Sequence, residues 1–81
     1  MLKSIQIYTA GCPRSIMTKA NLKKAVQDMD LNVEVENIDD PEMHREHNVN
    51  VFPTIKINGE VKSEGSFGGI DFFKDILSEY L

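Results

Sequence analysis

Hydrophobic periodicity switches repeatedly along this 81-residue chain, and the order of the switches leaves few ways to fold it. "SIQIYT", Ser4 to Thr9, alternates polar and apolar residues, the two-residue repeat of a strand. From Pro13 to about Asp30 no glycine or further proline interrupts the chain. Leu22, Ala25, Val26 and Met29 recur there at the spacing of one helical face, with Lys19, Lys23 and Lys24 largely off it. Pro13 suits the first helical position, because its missing N–H would be unpaired there anyway. "NVEVENI" alternates again, with Val33 and Val35 on one side and Glu34 and Glu36 on the other, as in an edge strand guarded by charge. Asp39 or Asp40 then caps a short helix that has Pro41 early in it and stops near Asn48. "PTIKI" and "EVKSE" are strands joined by Asn58-Gly59, a tight-hairpin signal. A last helix from about Gly69 carries Ile70, Phe73, Leu77 and Tyr80 on one stripe.

The predicted order is β-α-β-α-β-β-α. A right-handed crossover makes the first two strands parallel, and the hairpin makes the last two antiparallel. The fold class is therefore α/β, with a four-stranded mixed sheet flanked by helices in one domain over residues 1–81. Such a sheet does not by itself reveal a function. Cys12 is the only cysteine, so no internal disulfide staples this small chain; stability comes from packing, and a reducing cytoplasm is the natural compartment. A net charge of −4 with no block of basic residues argues against nucleic acid or an anionic membrane surface as partner. Apolar runs are far short of a membrane span and the N-terminus has no signal-peptide core, so a cytoplasmic monomer is expected.

Cys12 falls where the first strand hands over to the first helix. Free backbone N–H groups and the helix dipole favour negative charge there, so more of the thiol is ionised at neutral pH. Arg14 adds a nearby positive charge. Ser15 lies one helical turn on, able to hydrogen-bond the sulfur but not to act as a second thiol. A buried, inert cysteine is the alternative at this position.

"YTAGCPRS", with "VFPTIKING" about forty positions later and then "GGID", resembles the thioredoxin/glutaredoxin superfamily, most of all its small glutaredoxin-like members. The likeness in element order covers nearly the whole chain. It implies that Cys12 is the catalytic nucleophile of a C-P-R-S variant of the C-x-x-C motif, with Ser15 in the resolving position and Pro13 and Arg14 between them. It implies that Pro53 is the family's cis-proline, with Phe52 and Thr54 beside it exposing backbone to an extended substrate peptide or to glutathione. It also likens Gly68, Gly69 and Asp71 to the stretch that holds the γ-glutamyl end of glutathione. Without the resemblance, the same residues read as a turn and a first-turn acid.

The resemblance implies a thiol–disulfide oxidoreductase that works through one cysteine and a mixed disulfide, with an external thiol as resolver. The expected partners are a disulfide-containing protein or a glutathione mixed disulfide, with a reductase as a further candidate. Glutathione is a candidate co-substrate; no tightly bound cofactor and no metal are expected. Ser15 is either native or a Cys-to-Ser substitution of a dithiol parent. The alternative function is a non-catalytic binding module that presents Cys12 to an iron–sulfur cluster, glutathione or a partner protein. Four departures from the family bear on these roles: Ser15 itself, Thr9-Ala10-Gly11 where many glutaredoxins have a lysine, Gln6 where thioredoxins bury an acid, and Pro13-Arg14 where the cluster-bridging monothiol glutaredoxins have Gly-Phe. His44 and His47 are three apart on the short helix and read as a solvated face rather than a metal site.

Overall fold

A computed structural model of residues 1–81 contains β1 (Ile5–Tyr8), α1 (Pro13–Asp28), β2 (Val35–Ile38), α2 (Pro41–Glu46), β3 (Thr54–Ile57), β4 (Glu60–Glu64) and α3 (Ile70–Ser78), in the expected order. The strands form one mixed sheet in the order β2-β1-β3-β4. β1 pairs parallel with β2, from Ile5 opposite Val35 to Tyr8 opposite Ile38. It pairs antiparallel with β3, from Ile5 opposite Ile57 to Tyr8 opposite Thr54. β3 and β4 are antiparallel, and the register slips after Ile55–Ser63 so that Lys56 faces Val61 and Lys62 is the extra residue. β2 is an edge strand, as its charged face predicts, with Glu36 exposed and accepting a hydrogen bond from Gln6 Nε2 at 3.2 Å. Its ladder begins at Val35 rather than Asn32, because β1 starts at Ile5 and offers the earlier residues no partner.

Alternation along β1 decides where the two layers of core lie. Ile5 and Ile7 point to one side of the sheet, where Leu22, Ala25 and Val26 of α1, Ile55 and Ile57 of β3, and Phe73 and Leu77 of α3 complete the main core. Each fully buried side chain of this size contributes about 1.5–3 kcal/mol. Tyr8 sits with Ile38 and Val49 in a second, smaller cluster, against which Met43 of α2 and Phe52 pack. No helix is long and apolar enough to cross a membrane.

The turn chemistry accounts for the element ends. Asp40 rather than Asp39 caps α2, its Oδ1 accepting from Glu42 N at 2.9 Å. Asn48, with φ of 58°, takes the left-handed turn that ends α2. α1 stops two residues before Asp30, which has φ of 53°. Asn58 and Gly59 have φ of 54° and 82°, the conformation of a tight hairpin. Asn58 does more than turn: its Oδ1 accepts from Lys3 N at 2.6 Å and Ser4 N at 3.1 Å, and its Nδ2 donates to Met1 O at 2.7 Å. The hairpin thereby fastens the chain's first residues beside it. Tyr80 lies beyond the end of α3 yet still packs against the main core.

His44 corrects the solvated-face expectation. It is buried, its Nε2 lies 2.8 Å from Ile38 O, and its ring is tilted at 45° against that of Phe52 with centroids 4.5 Å apart. His47 Nδ1 shares a 2.8 Å hydrogen bond with the Tyr8 hydroxyl. The imidazole packs under the end of β2 and gives the Ile38 carbonyl, which already accepts from Thr9 N at 3.0 Å, a second donor.

At the far end of the molecule, Asp28 holds α1 to α3 through Lys24 Nζ at 2.9 Å and Lys74 Nζ at 3.3 Å. The hydrogen bond from Lys24 keeps its carboxyl below the ordinary value of 3.8; burial opposes it, and a weaker hydrogen bond from Lys74 assists. A carboxyl with a depressed folded pKa contributes its stability above the unfolded value and loses it as pH falls through the folded one. The pairs are part-exposed, so Asp28→Asn should cause a small drop in thermal midpoint at neutral pH. That difference should vanish below the folded pKa; melting curves of both proteins across pH check it.

Candidate active site

Strand registers bring four loops to one end of the sheet. Tyr8 at the end of β1 is paired with Ile38 at the end of β2 and with Thr54 at the start of β3, which is itself paired with Glu64 at the end of β4. The segments carrying Cys12, Asp39, Pro53 and Gly65–Gly69 therefore leave the sheet together.

Cys12 is the N-cap of α1, with φ −79° and ψ 156°, and Pro13 begins the helix. Gly11, with φ of 77°, supplies the left-handed turn just before it. The Cys12 carbonyl accepts from Ile16 N at 3.1 Å, closing the first helical turn, and its side chain is half-exposed. Ser15 is fully buried on the same face, and its Oγ lies 3.1 Å from Cys12 Sγ. That hydroxyl, followed by the Ser15 amide, holds the thiol below its ordinary value of 9.0; burial opposes them, and the Cys12 amide and the Arg14 charge assist more weakly.

Arg14 reaches across the site, where its Nη1 donates to Gly65 O at 3.2 Å. Gly65, at φ of 74°, in turn donates its N–H to Pro53 O at 2.7 Å. A chain of two hydrogen bonds thus joins the residue after the cysteine's proline to the Phe52–Pro53 segment. The Phe52–Pro53 peptide is cis. Pro53 and Thr54 are buried, Thr54 Oγ1 donating to Val51 O at 2.6 Å, while Phe52 is half-buried on His44.

Gly68 and Gly69 also lie at this end, but Gly68 is already engaged. Its N–H donates to Thr18 Oγ1 at 3.3 Å, and its carbonyl accepts from Asn21 Nδ2 at 2.9 Å, so α1 grips both sides of one residue. A Cβ on Gly68 would overlap the buried ring of Phe73, which makes this glycine a packing requirement. Gly69 is the N-cap of α3, and Asp71 is exposed in its first turn.

Thr18, Asn21 and Gly65 escaped the sequence reading. A signal for Thr18 was present: Ser15, Thr18, Leu22 and Ala25 share one spacing, so the buried stripe of α1 continues into two small polar residues beside the cysteine. Asn21 and Gly65 left no local pattern, because their partners lie about fifty residues away in sequence.

Two outcomes follow from this geometry. Gly68→Ala should destabilise the protein by about 1–3 kcal/mol through overpacking against Phe73, read by denaturant unfolding. Ser15→Ala should raise the Cys12 pKa and slow alkylation at pH 7 several-fold, read as a rate–pH profile displaced to higher pH. Reduced-protein stability carries the same sign. A thiol that ionises more readily when folded contributes fully above 9.0, and the contribution is lost as pH falls through the folded value.

Residues 3–78 match the family described as Thioredoxin domain. The thioredoxin of Methanothermobacter thermautotrophicus is 30% identical over 77 residues, covering 95% of this chain and all of that protein. The thioredoxin of Methanocaldococcus jannaschii is also 30% identical over 77 residues, covering 95% of this chain and 88% of its own length. Among solved structures, a malarial protein superposes with a TM-score of 0.74 at 15% identity, over 95% of this chain and 94% of that one. Thioredoxin-2, a component of malaria parasite protein secretion machinery, does so with a TM-score of 0.73 at 16% identity, over 93% and 80%. The last two establish the fold alone; taken with the match over residues 3–78, they leave a plain conclusion, that the chain belongs to the thioredoxin family.

Proposed function

We propose that this member of a thiol–disulfide oxidoreductase family turns over with Cys12 as its only protein sulfur, in a glutaredoxin-like cycle completed by an external thiol. The observation that carries this reading is the 3.1 Å contact between Cys12 Sγ and the buried Ser15 hydroxyl at the start of α1. It supplies a stabilised nucleophile and no second one.

In the first step the Cys12 thiolate attacks one sulfur of a substrate disulfide. A new S–S bond forms to Cys12, the old one breaks, and the displaced thiolate leaves with the electron pair and takes a proton from solvent. Ser15 hydrogen-bonds the thiolate before attack and again as it departs. Its hydroxyl is un-ionised and cannot cleave the mixed disulfide. A second thiolate from solution attacks the Cys12-bound group, forms a disulfide with it, and returns Cys12 to its anionic form. Substrate backbone lies along Phe52, Pro53 and Thr54, with Pro13 and Arg14 forming the opposite wall. With a glutathione mixed disulfide as substrate, Gly69 and Asp71 at the start of α3 remain open to the γ-glutamyl end of the glutathione carried on Cys12, whereas Gly68 has its peptide groups committed to α1. The proposed setting is a reducing compartment, with the protein as a monomer acting on disulfide-bonded proteins or glutathione mixed disulfides.

Glutathione-dependent reduction of a small mixed disulfide, coupled to NADPH oxidation by glutathione reductase, tests the cycle. Turnover by the chain as it stands, abolished in Cys12→Ala, is the expected result. A protein that forms the mixed disulfide but is never released from it by glutathione would overturn the catalytic reading and leave a binding module. Ser15→Cys, assayed with thioredoxin reductase, should then gain activity if a dithiol cycle is the parent chemistry.

A further inference from the structure

Beside the site, between the first turns of α1 and the ends of β1 and β2, lies a cavity of about 380 Å³. That is within the range of small-molecule sites, roughly 300–1,000 Å³. Its walls include Thr9, Gly11, Ile16, Lys19, Asn37 and Asp39, so it opens one residue away from Cys12.

Three polar groups there have unspent capacity. Thr9 is only 5% exposed, and its Oγ1 donates to Asn37 Oδ1 at 2.8 Å. The Asn37 amide makes no other side-chain hydrogen bond, so part of its capacity is unspent. Lys19 and Asp39 line the same cavity with opposite charges, yet neither belongs to any of the molecule's ion pairs, Lys24–Asp28, Lys62–Glu60 and Lys74–Asp28. They form no ion pair with each other either. A ligand bearing both charges satisfies them together: its carboxylate meets Lys19 and the Asn37 amide, and its ammonium meets Asp39. A ligand with only one charge is attracted by one wall and repelled by the other, which is selection against simple anions and simple amines. Ile16, 54% exposed, offers an apolar surface to the ligand's methylene groups.

We propose that this cavity binds the zwitterionic amino-acid end of the low-molecular-weight thiol that releases substrate from Cys12. The proposal rests on the single-cysteine cycle and names the chemistry of its second reactant. Held by its charged end, the thiol has its sulfur directed past Gly11 toward the mixed disulfide. Its thiolate forms a bond to the Cys12-bound group, the Cys12–sulfur bond breaks, and the Cys12 thiolate leaves with the electron pair. Free cysteine and glutathione share this amino-acid end and differ in how far their sulfur lies from it.

Two measurements test the site and separate it from the cycle. Amide chemical shifts of the reduced protein are followed during titration with S-methylcysteine, S-methylglutathione and 2-(methylthio)ethylamine, none of which can exchange disulfides. Saturable shifts at Ala10, Gly11 and Asn37 with one or both amino-acid ligands, weaker by about tenfold in Lys19→Gln and in Asp39→Asn, are expected; a loss of one well-placed charge contact is about that size. Which of the first two saturates identifies the source, and the amine lacking a carboxylate should not saturate. Separately, a preformed Cys12 mixed disulfide with 2-thiopyridine is resolved by cysteine, glutathione or 2-mercaptoethanol. The rate advantage of the amino-acid thiols over 2-mercaptoethanol should fall in Lys19→Gln. Absence of saturable shifts with either amino-acid ligand, or shifts centred on Gly69 and Asp71 instead, would overturn the proposal while leaving the cycle intact. Resolution by none of the thiols, with the shifts present, would overturn the cycle and retain the binding site.

Discussion

Pairing β2 parallel to β1 is the constraint from which the rest of the molecule follows. Two parallel neighbours cannot be joined by a turn, so the chain must travel back along the sheet before the second strand starts. α1 makes that return, which places its N-terminus at the carboxyl end of β1 and its apolar stripe over Ile5 and Ile7. The position of Cys12 is a by-product of this crossover. Antiparallel pairing of β3 on the other side of β1 then delivers Pro53 to the same end without further design. A site assembled from four loops thus depends mainly on which way two strands run.

Fixing the loops relative to one another is a separate task, and polar groups perform it. Apolar packing holds α1 to the sheet along Leu22, Ala25 and Val26, but toward its N-terminus the buried face becomes Ser15 and Thr18. Those two hydroxyls face the sulfur and the Gly68 amide respectively, and Asn21 completes the grip on Gly68. Arg14 and Gly65 tie the same turn of helix to Pro53. Hydrogen bonds of this kind contribute little net stability individually, yet they demand particular geometry, which suits a segment that holds a half-exposed sulfur against a buried hydroxyl.

Much of this was legible in the order of residues. Strand and helix periods, the two prolines that open helices, and Asn58-Gly59 were enough for the topology, because each is a local signal agreeing with its neighbours. Element ends were less legible: Asn32–Glu34 alternate like the strand they precede, and only the missing partner on β1 keeps them out of the ladder. His44 was misread for a related reason. A histidine between Met43 and Arg45 on a polar six-residue helix carries no sign that the carbonyl of Ile38 waits beneath it. Cys12, Ser15, Arg14 and Pro53 were found from motif and resemblance, whereas Asn21, Gly65 and Asn37 act across the fold and have no mark in their own neighbourhood.

The buried hydroxyl of Ser15 also shapes how the protein meets peroxide. A thiolate near a surface is the form most readily taken to a sulfenic acid, and in a two-cysteine relative the neighbouring sulfur would condense with it at once. Here oxygen occupies that place and no other cysteine exists in the chain, so a sulfenate formed on residue 12 would find no thiol of its own chain to condense with. Interception before the irreversible sulfinic state would then fall to thiols from its surroundings.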